Sequence, residues 1–185
     1  MTVRSTTETV GMGTLRAKPF ILPFSSGRTR PTALAAPVNN LDVGGTAAGY
    51  MFQSADPDTH TLYLEHQLFE KVTVGLQISD VEGVSDTEND LYGQLLFSDN
   101  FRGILGVRDY GPETDLYFGA ALNGELAEDT EGYASLIIGS DFDEFQVGIN
   151  YRIHYNVDLN VNYKSTSYDG GKDRDGLGLG LSFLF

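Results

Sequence analysis

Three histidines, His60, His66 and His154, are the side chains of this 185-residue chain best suited to moving protons near neutral pH. His60 has carboxylates close by in sequence, Asp56 and Asp58. Such a pair would serve as a general base if a Ser or a second acid lay within hydrogen-bond reach. No further Ser or acidic motif joins it at a recognisable spacing, and GxSxG, HExxH, P-loop and dinucleotide-binding fingerprints are all missing. A second chemistry is cation binding. Asp86, Glu88 and Asp90 form one acidic loop, and Asp173 and Asp175 belong to another that starts at Asp169. Neither has the ligand spacing or the distal Glu of an EF-hand. The expectation is therefore no cofactor, apart from a weak Ca²⁺ or Mg²⁺ site at these loops. The third set consists of charges within alternating segments: Glu65, Arg102, Arg108, Glu125, Arg152, Asp158 and Lys164.

The elements that carry these charges read as strands. Side chains alternate between two faces with period two. Val157, Leu159, Val161 and Tyr163 oppose Asp158, Asn160, Asn162 and Lys164, and the same pattern recurs over 72–79, 116–123 and 145–153. Ten strands are predicted, at 44–53, 61–69, 72–80, 91–99, 102–110, 115–125, 132–141, 145–153, 157–165 and 177–185, with eight as the alternative count. The first, fifth and seventh alternate poorly. The connections fall into two sets, tight turns on one side and longer loops on the other. Two break that rule: 141–144 is short for its side and 126–131 long for its own.

Composition agrees with a strand-rich chain: 22 Gly, 10 Tyr and 11 Phe, with no Cys and no Trp. Disulfides and thiolate metal sites are excluded. No run approaches the roughly 18–20 apolar residues of a membrane helix, but a barrel strand needs only about 9–11 alternating residues to cross. Charge is uneven, +4 over residues 1–40 and −18 over 41–185, for a net of −14. So acidic a body repels nucleic acid. Two domains are expected: a basic, mostly irregular N-terminal extension over 1–43 and a β-barrel over 44–185. A lumen plug or a partner-binding arm is the alternative use of the extension.

The last nine residues place Leu177, Leu179, Leu181, Phe183 and Phe185 on one face and Gly178, Gly180, Ser182 and Leu184 on the other. An apolar face backed by a nearly bare one, ending on an aromatic, resembles the closing strand of small bacterial outer-membrane β-barrels of the OmpA/OmpX type. The resemblance covers roughly residues 44–185. It implies an all-β, closed, antiparallel up-and-down transmembrane barrel in the bacterial outer membrane. Its partners would be outer-membrane lipid, the barrel-assembly machinery engaged through Tyr163, Leu181, Phe183 and Phe185, and an envelope protein engaged through residues 1–43.

The second face distinguishes this fold from a soluble barrel. It is Gly, Ser, Asn, Gln and Thr with a few charges, and Gly weakens a strand by roughly 0.5–1 kcal/mol relative to Ala. Small polar residues suit a narrow lumen. The other face carries no charge in the best alternating strands, as lipid contact requires. His66 is an exception near a strand end. The charges of the polar face are expected to pair inside as an ionic network, centred on Arg152, Asp158 and Lys164. Ten strands leave too little width for a porin-like channel. The expected role is non-enzymatic: envelope structure, surface interaction or a subunit of an envelope assembly. The alternatives are a soluble lipocalin-like barrel around an apolar ligand, or an outer-leaflet lipid-modifying enzyme or protease using His60.

Overall fold

The computed structural model describes residues 36–83, 87–111, 113–169 and 173–185. Ten strands follow one another in chain order: β1 Thr46–Ser54, β2 Thr59–Phe69, β3 Val72–Val81, β4 Glu88–Ser98, β5 Phe101–Asp109, β6 Thr114–Ala127, β7 Thr130–Gly139, β8 Phe142–His154, β9 Val157–Tyr168 and β10 Arg174–Leu184. Each pairs antiparallel with its sequence neighbours, and β10 pairs with β1 to close the barrel. At the seam, the Phe185 N–H donates to the Thr46 carbonyl at 2.8 Å, and the Thr46 N–H donates to the Phe185 carbonyl at 3.1 Å. The terminal aromatic residue thus fastens the last strand to the first.

The rim holding both ends of the barrel, here the near rim, has four turns of two residues each: Glu70–Lys71, Asp99–Asn100, Glu128–Asp129 and Tyr155–Asn156. The connection read from sequence as 126–131 shrinks because β6 and β7 run further than alternation suggested. Asp129, with φ 60°, supplies the left-handed residue that such a turn needs. On the far rim the connections occupy 55–58, 82–87, 110–113, 140–141 and 169–173.

All four near-rim hairpins share a device the alternation did not reveal. The register slips by one residue at Leu68, Phe97, Leu126 and Ile153, just before each turn. A bulge of this kind sharpens strand twist and helps a sheet curl shut. Each bulged residue is large, apolar and exposed.

The apolar face points outward. Leu62, Leu105, Leu116, Phe118 and Leu177 are all between 59% and 66% exposed. Outward-facing acids occur where strands reach the far rim, at Asp80, Asp109, Asp143 and Asp175. His66 lies toward the near rim, with its Nδ1 2.9 Å from the Thr46 hydroxyl. From Leu177 to Phe185 the chain rises about 27 Å along the strand, or ~21 Å along the barrel axis at a tilt near 40°. That matches an apolar band of membrane height. A lipocalin-like barrel would need this face inside, so that reading is overturned.

The inward glycines have a use beyond saving volume. Gly49, Gly75, Gly106 and Gly148 each stand opposite an inward tyrosine on an adjacent strand: Tyr63, Tyr92, Tyr117 and Tyr133 respectively. Each ring lies across its glycine so closely that a Cβ there would overlap the ring. Bare backbone lets the four phenols reach across the lumen at mid-height, and all four are buried. The prediction is that Gly75→Val or Gly106→Val overpacks this layer and destabilises the barrel by about 1–3 kcal/mol. Gly83→Val, at a position with open space on the far rim, serves as a comparison through its positive φ alone. Urea titration of detergent-folded protein, read by the gel-mobility difference between unboiled and boiled samples, measures the effect.

Candidate functional site

The candidate side chains lie on the inward face, and strand register places them at distinct heights. Above the tyrosines, toward the far rim, Arg108 of β5 is fully buried. Its Nε donates to Asp90 Oδ1 of β4 at 2.8 Å, and its Nη2 lies 3.7 Å from Glu144 Oε2 of β8. The guanidinium carbon sits 4.3 Å over the Phe142 ring and 5.5 Å from that of Tyr117. Lys164 of β9 shares Glu144, with its Nζ at 3.6 Å. Glu88 and Arg174, also buried, lie within electrostatic reach of Lys164. Three cations and three carboxylates thus balance one another in a space that solvent does not reach.

Below the tyrosines a second polar group surrounds Glu65 and Arg102. Glu65 Oε1 accepts from the Tyr92 hydroxyl at 2.9 Å and from Gln94 Nε2 at 2.7 Å. Arg102 donates to Gln94 Oε1 at 2.9 Å and to Asn123 Oδ1 at 3.1 Å. Residues 36–40, read from sequence as part of an irregular extension, enter the barrel here. They have no regular secondary structure, but Pro37, Val38 and Asn39 are buried. Asn39 Nδ2 donates to Glu65 Oε2 at 2.7 Å, and Arg102 Nη1 donates to the Asn39 carbonyl at 3.0 Å. Val38 packs into the apolar cluster that includes Tyr92, Tyr117 and Tyr133.

At the near mouth Arg152 and Asp158 form a two-pronged pair, with contacts of 2.8 and 3.2 Å. They line an open vestibule of about 240 Å³ together with Glu125, Asp129, Glu131 and Asn150. Arg152 is 45% exposed.

Several expectations need correction. Lys164 does not join Arg152 and Asp158. Asp158 faces Arg152 in register, but Lys164 faces Gln146, six residues or about 20 Å further along β9. Glu125 has inward parity but stands exposed at the mouth, where β6 ends. Glu88 and Asp90 are not ligands on a solvated loop. β4 starts at Glu88 and turns both carboxylates into the lumen, where each is fully buried. Asp86 lies outside the described residues. Asp173 is exposed, and Asp175 faces outward and accepts from the Tyr163 hydroxyl at 3.2 Å. Among the described residues no three His, Cys, Asp or Glu side chains are arranged to hold a metal ion.

His60 points outward between the rings of Tyr50 and Phe52, with its Nδ1 2.6 Å from the Tyr50 hydroxyl. Asp58 instead accepts the Ala55 backbone N–H at 3.2 Å. His154 lies in the near-rim turn region beside Asn156 and Tyr155. Tyr163, Leu181, Phe183 and Phe185 all face outward on β9 and the end of β10.

The partners that sequence reading missed are Glu144, Asn123, Glu131, Asn150, Gln94 and the 36–40 segment. The signal for Glu144, Glu88 and Asp90 was parity: each continues the inward alternation of Gln146 or of Tyr92 and Gln94 past the point where acidity suggested a loop. Residues 36–40 follow the lumen-plug alternative for the extension, with Asn39 and Val38 bonded inside the barrel; no local pattern singled out these five residues.

The buried and exposed pairs should respond differently to mutation. Arg108→Ala removes the cation paired with buried Asp90 and leaves Glu144 to Lys164 alone, and should destabilise the barrel by about 3–5 kcal/mol. Arg108→Lys should rescue little, because it keeps the charge but loses the planar contact with Phe142. Arg152→Ala should cost no more than about 1 kcal/mol, as for exposed pairs. Urea unfolding of the three variants checks the order.

No family model matches this sequence, and no curated protein matches it. Solved structures do. The KdgM porin, in a structure with disordered oligogalacturonate, is 8% identical over 75% of this chain and 99% of its own, with a TM-score of 0.51. The N-terminal β-barrel domain of OprF from Pseudomonas aeruginosa is 14% identical over 77% of this chain and 98% of that domain, at 0.44. A de novo designed transmembrane β-barrel is 12% identical over 80% and 100%, at 0.42. Closure and strand order agree with the likeness to the KdgM porin: the chain has the fold of a closed antiparallel β-barrel with its apolar face outward.

Proposed function

We propose that this protein is a non-enzymatic barrel of the bacterial outer membrane, closed to solutes, that acts in envelope structure or as an interaction subunit of the envelope. The observation that carries the reading is the inversion of faces. An exposed, uncharged apolar band surrounds an interior in which Arg102, Arg108, Gln77, Tyr117 and Asn160 are each at most 1% exposed. In lipid every backbone polar group must be bonded within the protein, and a closed barrel does this with no free edge. A water-wide passage would leave its lining accessible, so the buried lumen supports a plugged barrel. The gap among Gln53, Thr59, Lys164 and Arg174 near the far rim is about 10 Å³, room for no more than about one water. In this reading the near rim, with its two-residue turns, faces the periplasm. The placement of His60 among aromatic rings supports an interfacial role for it.

The expressed chain should sediment with envelopes, require detergent for extraction, and migrate faster unboiled than boiled. In planar bilayers it should show no porin-sized conductance steps. Release into the supernatant without detergent, or steady porin-like currents, would contradict the reading. Within the band, Leu179→Arg should destabilise vesicle-inserted protein by about 2–4 kcal/mol, whereas Asp175→Arg at the rim should cost ~0–1 kcal/mol. Urea titration in lipid vesicles separates the two.

A further inference from the structure

Residues 36–40 are held as a ligand is held. The ten strand pairings close the barrel without them, and they belong to no strand. Side chains from six different strands converge on them. Gln77 Oε1 of β3 accepts the Ala36 N–H at 2.9 Å. Asn150 Nδ2 of β8 donates to the Val38 carbonyl at 3.0 Å. Arg102 of β5 donates to the Asn39 carbonyl at 3.0 Å and to Asn40 Oδ1 at 2.6 Å. Asn123 Nδ2 of β6 also reaches Asn40 Oδ1, at 3.1 Å, and the Asn40 amide donates to Glu131 of β7. Glu65 of β2 takes the Asn39 amide at 2.7 Å. Three of these bonds read main-chain atoms, two asparagine side chains are read individually, and Val38 fills an apolar pocket. That combination is how a cleft recognises an extended peptide.

The link to the barrel suits release. Asp42, Val43 and Gly44 are exposed at the near rim. Gly44, at φ 85°, and the bond from Gly45 N–H to the Asp42 carbonyl at 2.8 Å make a tight turn outside the mouth. The open vestibule adjoins the segment, since Glu131 and Asn150 line it and also bond residues 36–40.

We propose that the near half of the lumen is a binding cleft for an extended peptide with an apolar residue followed by two asparagines, and that Ala36–Asn40 is its own displaceable occupant. This goes beyond the closed-barrel reading, which requires only that the lumen be filled. A tethered occupant acts at an effective concentration of about millimolar order, so free peptide at micromolar levels is excluded until the segment is weakened.

The chain has no Cys, so Val38→Cys in the full-length protein gives a single reporter for maleimide labelling. Labelling should be slow in the otherwise unchanged chain. Adding Asn39→Asp and Asn40→Asp sets carboxylates against Glu65 and Glu131 and should speed labelling roughly tenfold or more, as local opening does. A fluorescent peptide of residues 33–43 should then bind the Asn39→Asp/Asn40→Asp protein and not the unchanged chain, and Asn150→Ala should weaken it. The gel-mobility shift on boiling confirms folding in each case. Continued protection of position 38 in the double variant would overturn the proposal, because the segment would then be fixed core. So would a double variant unable to fold, or an opened lumen that ignores the peptide. Failure of membrane extraction would contradict the closed-barrel reading separately and would leave these labelling and binding results as they stand.

Discussion

A sheet that closes on itself has no free edge, and that closure governs the rest of this molecule. Each of the ten strands is paired on both sides, so the barrel can stand in a medium that offers no hydrogen bonds. Closure also forces a choice of faces, because alternate side chains must all point out or all point in. Here the bond pair between Thr46 and Phe185 completes the ring. The leucines, valines and phenylalanines then form a continuous outer band, and what remains is confined to a space ten strands wide.

That confinement accounts for the interior chemistry. A lumen too narrow for bulk water must be filled, and polar fill must be satisfied. Two charge groups, Arg108 with Asp90, Glu144 and Lys164 above and Arg102 with Glu65 below, are separated by the tyrosines. Buried pairs add little net stability, yet are damaging to break. Each contact joins different strands: Arg108 of β5 meets Asp90 of β4 and Glu144 of β8, and Lys164 of β9 meets the same Glu144. The tyrosine layer needs glycine opposite it for steric reasons, which ties the high glycine content to packing. In the lower half of the lumen Val38 and Asn39 are buried among strand-borne side chains that include Glu65, Arg102 and Asn150.

Strand order and the residues that share a face were legible in the sequence because a period of two is unambiguous over eight or more residues; the count stood at ten or eight, the outward direction of the apolar face rested on the small polar composition of the other, and closure rested on the resemblance. Val157 to Lys164 and Phe145 to Ile153 are read correctly by inspection. The far-rim ends were not legible. Glu88, Asp90 and Glu144 look like loop acids, and only the buried cations that face them make a strand position tolerable. The network was therefore misassembled around Lys164, because which charges meet depends on register across strands, and alternation within one strand does not report it. The bulges at Leu68, Phe97, Leu126 and Ile153 were hidden for the same reason. The entry of residues 36–40 depends on a tertiary cavity that no local pattern encodes.

The most direct test of the central claim, apolar face in lipid and polar face within, uses the absence of Trp from the chain. Val161→Trp places a single indole on the outer face of β9, and Asn156→Trp places one in the near-rim turn. Both proteins are inserted into vesicles whose acyl chains carry bromine, a contact quencher of indole fluorescence. Strong quenching at position 161 with little at 156, and the reverse order with aqueous iodide, is the expected result. An indole at position 161 that is dark to bromolipid but quenched by iodide would contradict the account.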